Sequence, residues 1–201
     1  MGTRHLIAVV NDGEYKIAQY GQWDGYPSGQ GLVVLDFLHN FDRDLFEQKL
    51  GKCRFFDETD QEFLDEYDAN CPQWSNEPDN RTPEQLKWNK YLVSRDIWAD
   101  ILTNVVEYEG DEILLKNSVD FALDSLFCEY AYVVDLDKNV LEVYEGFQKS
   151  EVVGRFSDPD KFIKEDHRSE QYSPVTLVQS YDLEDLPTHE KFLSDLEQDE
   201  E

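Results

Sequence analysis

The sequence predicts an α+β fold: an antiparallel sheet built from two β-hairpins, with helices packed against it. Two segments alternate β-branched and aromatic residues around tight-turn residues, and several stretches between and around them place apolar residues at helical spacing. Composition supports a core. Of 201 residues 40% are hydrophobic and 13% aromatic, enough to resist disorder despite 45 acidic against 18 basic side chains and a net charge of −27. The expected domain is 1–196, followed by an acidic tail at 197–201.

In chain order, Arg4 to Val10 reads as a strand, Asn11-Asp12-Gly13 as its turn and Glu14 to Tyr20 as the returning strand. Four glycines and a proline between Gly21 and Gly31 argue for a shaped loop without regular structure. Leu32, Val33, Leu35, Phe37 and Leu38 then give one apolar helical face ending near Asn40. Further helices are expected over Arg43–Lys52 and Asp57–Asp68, the latter with only Phe63, Leu64 and Tyr67 as an apolar side. A long loop follows over 70–83. Ser94 is the expected N-cap of a helix carrying Ile97, Trp98, Ile101, Leu102 and Val105, with another helix at Ser118–Phe127. Glu129–Asp135 and Val140–Gly146 form the second hairpin, turned at Asp137-Lys138-Asn139. A strand at Pro174–Ser180 and a helix at Pro187–Leu196 complete the pattern.

The charge is uneven. Residues 57–80 hold nine carboxylates and no Lys or Arg, and residues 182–201 nine carboxylates against Lys191, whereas residues 1–40 are nearly balanced. A pI near 4.2 opposes binding to phosphate backbones and anionic membranes. Asp57, Glu58, Asp60, Glu62, Asp65 and Glu66 are therefore read as a partner-binding surface: an acidic helix spaces carboxylates like phosphates and suits a protein with a basic, nucleic-acid-binding surface, as an inhibitor from a mobile element would. The same run also fits a merely solvated face. No secretory signal or apolar span of transmembrane length is evident, and Leu6 breaks the myristoylation pattern. Cys53, Cys71 and Cys128 form no CxxC pair, which fits reduced thiols and a cytoplasmic setting without disulfides.

A second, different site is read at the glycine-rich segment. Glycines let backbone approach a ligand closely, Trp23 and Tyr26 offer flat apolar faces, and Gln22, Asp24 and Gln30 offer directional hydrogen bonds. His5 and Gln19, brought near by the first hairpin, add a titratable ring and an amide. A small polar ligand, bound or processed, is the expected occupant; the segment equally fits a tight structural loop in which Asp24 caps local amides, the aromatics are core and His5 is a structural histidine. No catalytic residue, metal site or cofactor is expected: the four histidines lack ligand spacing, and Asp135-x-Asp137-x-Asn139 lacks the glycine and final glutamate of a calcium loop. Cys128 has no neighbouring base in the local sequence, so it reads as an inert core thiol.

Met1-Gly2-Thr3-Arg4-His5-Leu6, the Gln19–Gly31 loop, Ser94-Arg95-Asp96, Cys128 to Asp137 and Glu142 to Gly146 together resemble a family of hypothetical proteins of phages, bacteria and fungi. The resemblance implies a shared fold and pocket; it brings no catalytic residues. The acidic run at 57–80 lies outside these blocks. A hairpin that starts beside Thr3 and leads through a loop into a helix is also similar to the opening of the N-terminal nucleophile hydrolases, as topology only. There the nucleophile is the mature first residue, whereas loss of Met1 here would expose Gly2.

Overall fold

The computed structural model describes residues 2–70, 97–147, 151–162 and 173–196. The loop expected at 70–83, Cys71, the Ser94 cap and the acidic tail at 197–201 lie outside these residues.

Both hairpins form where the alternation places them. Strands β1 (His5–Asn11) and β2 (Glu14–Gly21) pair antiparallel around Asp12 and Gly13, both with positive φ, as a primed turn demands. Strands β5 (Tyr130–Asp135) and β6 (Val140–Glu145) pair likewise, and Asn139 takes the left-handed position of their turn. The Asp137 carboxylate accepts from the Asp12 and Gly13 amides at 2.9 and 2.8 Å, so one hairpin's turn clasps the other's.

The sheet is mixed, a correction to the purely antiparallel sheet predicted from sequence. Its order is β2-β1-β5-β6-β7, with β7 at Thr176–Asp182, and β1 runs parallel to β5, His5 opposite Tyr130. Residue alternation fixes pairing inside a hairpin but is silent on how two hairpins meet. Here the long connection after β2 returns the chain to the end where β1 began, so β5 must start beside it.

Helices α1 (Leu32–Asn40), α2 (Arg43–Leu50), α3 (Gln61–Asn70), α4 (Ile101–Glu107) and α5 (His189–Leu196) stand close to the expected spans. Asp42 caps α2 by accepting from the Leu45 amide. Three local forms differ from expectation. Pro27–Gly31 is a π-helical turn, with the Gly31 amide reaching back to the Tyr26 carbonyl. Trp98–Asp100 precedes α4 as a 3-10 turn, and Val119–Leu123 is 3-10 where an α-helix was expected. After Leu123 the Asp124 carbonyl and carboxylate accept from the Cys128 and Leu126 amides, which ends the helix as a turn. Strands β3 (Cys53–Phe55) and β4 (Ile113–Leu115) form a small parallel pair too short to show alternation.

Alternation divides the core between the two sheet faces. Ile7, Val9, Ile17, Tyr132, Val134, Leu141 and Val143 face α1, α2, α4 and α5. Leu6, Ala8, Ala18, Ala131, Val133 and Tyr144 face Val119, Ala122, Leu123 and Phe156. On that second face Arg155 donates to Glu142 and Asp135, both at 2.6 Å, and Tyr144 donates to the same Glu142 oxygen. Burial pushes the Asp135 carboxyl up, but Arg155 and the Lys138 amide outweigh it and hold it below the ordinary range.

Candidate functional site

One row of residues crosses the sheet at its β1 end. Gly21, His5, Tyr130 and Glu145 are successive partners on β2, β1, β5 and β6. Their parity places these side chains on the helix-bearing face, one step from Gln19 and Tyr132. Over this row lies the glycine-rich segment. The Gly25 amide donates to the Thr3 carbonyl at 2.9 Å and the Tyr132 hydroxyl donates to the Gly25 carbonyl at 2.8 Å.

The glycines are required by contact with His5. A Cβ at Gly21 would lie 2.2 Å from His5 Cε1 and Nε2, and one at Gly25 would lie 2.8 Å from His5 Cβ and from the Thr3 carbonyl. His5 is 0% exposed, and neither ring nitrogen has a hydrogen-bond partner. Burial lowers its pKa to about 4; the nearby Thr3 carbonyl acts in the opposite direction without completing a directional bond. At neutral pH the ring is uncharged, with one donor and one acceptor unused. The Trp98 indole NH, also on the helix-bearing side, is a second buried donor without a partner.

The sequence-predicted residues separate into three environments. His5, Gln19 and Gln30 are buried, Gln30 accepting from the Ala99 amide at 3.0 Å and so tying the loop to the turn before α4. Gln19 donates to the Tyr20 carbonyl, and Gln22 accepts from the Tyr20 hydroxyl at 2.6 Å. Trp23, Asp24 and Tyr26 are exposed. Asp24 holds a left-handed φ of 58°, and its carboxylate has no partner among the described residues. Sequence reasoning missed Tyr130, Tyr132 and Glu145, which belong to this end of the sheet. Each sits at an inward position of its own strand, but only the parallel β1–β5 register brings them to His5. Tyr26 and Tyr130 rings meet at 6.2 Å and 57°, and Tyr130 stacks on Tyr132. Burial, then Glu145, Tyr26 and Glu129, push the Tyr130 hydroxyl up to about 12.

The acidic run is a separate surface. Arg54 forks onto Asp60 at 2.6 and 2.8 Å and also bonds Glu112 at 2.7 Å, which holds the Asp60 carboxyl down to about 2. Asp57 accepts from Thr59, and Asp65 from Gln61. Glu58, Glu62, Asp65 and Glu66 are exposed. Lys49 and Lys52 turn instead to the Tyr108 and Gly110 carbonyls beyond α4. A cavity of about 420 Å³ opens here, lined by the Arg54–Asp60–Glu112 cluster together with Glu62, Glu66, Phe63 and Leu114.

Cys53 and Cys128 are buried free thiols, with burial pushing the Cys53 pKa up to about 12. Such thiols are unreactive at neutral pH. Among the described residues no group of three His, Cys, Asp or Glu could hold a metal ion, and no helix is long and apolar enough to cross a membrane. No family model, curated protein or solved structure matches this chain.

Proposed function

We propose that this chain is a binding protein whose glycine-rich segment and the underlying end of the sheet take a small polar ligand. One observation carries the reading: the buried His5 imidazole has both nitrogens unpartnered. Buried polar groups are paired in more than about 90% of cases, and an unpaired one costs on the order of 1–3 kcal/mol. The Gly21 and Gly25 backbone packs on the ring, so a bound molecule with donor and acceptor atoms would satisfy it by displacing that cover, and Trp23, Asp24 and Tyr26 supply an exposed aromatic and polar rim. Side-chain nitrogen NMR of the full chain, titrated with a set of small polar compounds, tests this. Expected are shifts at the His5 ring together with the Gly21 and Gly25 amides. A silent His5 in every titration, with ordered waters on both nitrogens in a high-resolution crystal structure, would overturn it.

A second reading keeps the acidic surface as a docking site for a protein with a basic, nucleic-acid-binding surface. The cavity beside α3 favours it: Glu62 and Glu66 line it with Phe63 and Leu114, beside Arg54, which already pairs with Asp60 and Glu112. Pull-down at low and high salt tests it. A charge-driven partner should be lost as the Debye length contracts from about 30 Å at 0.01 M to about 3 Å at 1 M; retention at high salt would exclude charge as the driving force.

A further inference from the structure

We propose that Gln30 is the latch of a two-state switch: its bond to the Ala99 amide holds Trp98 in a strained conformation, and opening that bond lets Trp98 join helix α4 while the glycine-rich segment is released. Trp98 has a φ of 54°. The Asp100 amide closes a turn onto the Ile97 carbonyl at 3.1 Å, which puts Trp98 at a position where positive φ belongs to Gly, Asn and Asp. A bulky ring there is a true outlier. The same residue carries a second cost, since its indole N–H is buried without a partner. Strain of this kind persists only where the surroundings impose it, and it gathers at clamps and switches.

What imposes it is tertiary contact. Ile97 and Ala99, on either side, are buried in the core. The Ala99 amide donates to the buried Gln30 Oε1 at 3.0 Å, and the Gln30 amide donates to the Asp24 carbonyl at 2.9 Å. Gln30 thus joins two left-handed residues, Asp24 at 58° and Trp98. Local preference points the other way. Ile97, Trp98, Ile101, Leu102 and Val105 fall at helical spacing, and a right-handed φ at Trp98 would extend α4 back from Ile101. The Trp98 side chain is already partly exposed, so turning it brings the indole N–H to water. The switch stands without the polar-ligand reading; a ligand that lifts the segment would favour the extended state.

Fluorine NMR of the ligand-free full chain labelled with 5-fluorotryptophan tests this, the Trp98 signal being identified by its loss in Trp98→Phe. In the wild type a second Trp98 state, seen directly or by exchange, is expected at about 1–10%. Gln30→Leu keeps the volume and removes the acceptor, and should raise the ratio of the second state to the first about tenfold, the worth of one hydrogen bond. Relaxation dispersion should give the Ala99, Gln30 and Gly25 amides one exchange rate. Trp98→Asn, a residue that tolerates left-handed φ, should suppress that exchange. A Trp98 signal unmoved by Gln30→Leu would overturn the proposal, as would unrelated rates at Ala99 and Gln30. If Gln30→Leu does not fold, dispersion in the wild type decides alone: shared exchange upholds the switch and its absence removes it. Because no ligand is added, neither result bears on the polar-ligand reading.

Discussion

A histidine that folds into a fully buried, partnerless position makes stability depend on pH in a window of its own. His5 titrates near 4 when folded against 6.5 in the unfolded chain. Between those values the unfolded state binds the extra proton, so stability is whole above pH 6.5 and falls as pH drops toward 4. At 1.36 kcal/mol per unit the full loss is about 3 kcal/mol. Urea unfolding at pH 7 and pH 4.5 should show most of it, and His5→Gln should flatten the difference; a flat wild-type profile would remove the burial argument. Gly21→Ala should cost about 1–3 kcal/mol by overpacking against the ring, and much less in a His5→Ala background. The loop chemistry at Trp23, Asp24 and Tyr26 was legible because glycine, aromatic and polar residues cluster within a few positions. Tyr130 and Glu145 were not, since each looks like an ordinary inward strand residue until the other hairpin is placed beside it.

At the level of elements, the Arg155 turn is fastened to the sheet by ions and rings together. Arg155 satisfies two carboxylates that are themselves nearly buried, Asp135 and Glu142. Arg155→Ala leaves those charges with only the exposed Lys138 ammonium, 3.5 Å from Asp135 and 4.0 Å from Glu142, and should cost up to about 3–5 kcal/mol. Neutralising them as well, in Arg155→Ala with Asp135→Asn and Glu142→Gln, should return much of that in denaturant titrations. If the triple variant is no more stable than the single, buried charge is not the source of the cost. The two hairpins and the main amphipathic helices could be read from periodicity alone, α2 for instance from Phe46 and Leu50 on one face. The 3-10 turn at Val119–Leu123 could not, because its end is set by Asp124 competing for backbone amides. Strands β3 and β4 were hidden by their three-residue length.

For the whole molecule, self-repulsion at a net charge of −27 opposes compactness. Raising sodium chloride from about 20 to about 500 mM, which shortens the screening length several-fold, should raise the melting temperature by several degrees; a fall would mean that internal pairs such as Arg54 with Asp60 outweigh the repulsion. The parallel seam between β1 and β5 bears on assembly in time. During vectorial synthesis the first hairpin leaves the ribosome with one side of β1 unsatisfied, and its neighbour Tyr130 emerges more than a hundred residues later. A bare strand edge invites pairing with another chain, and late, long-range closure is slow. A truncated 1–70 chain should therefore self-associate where the full chain does not, as light scattering would report. Until Tyr130 emerges, the open side of β1 stays available for pairing with a neighbouring nascent copy.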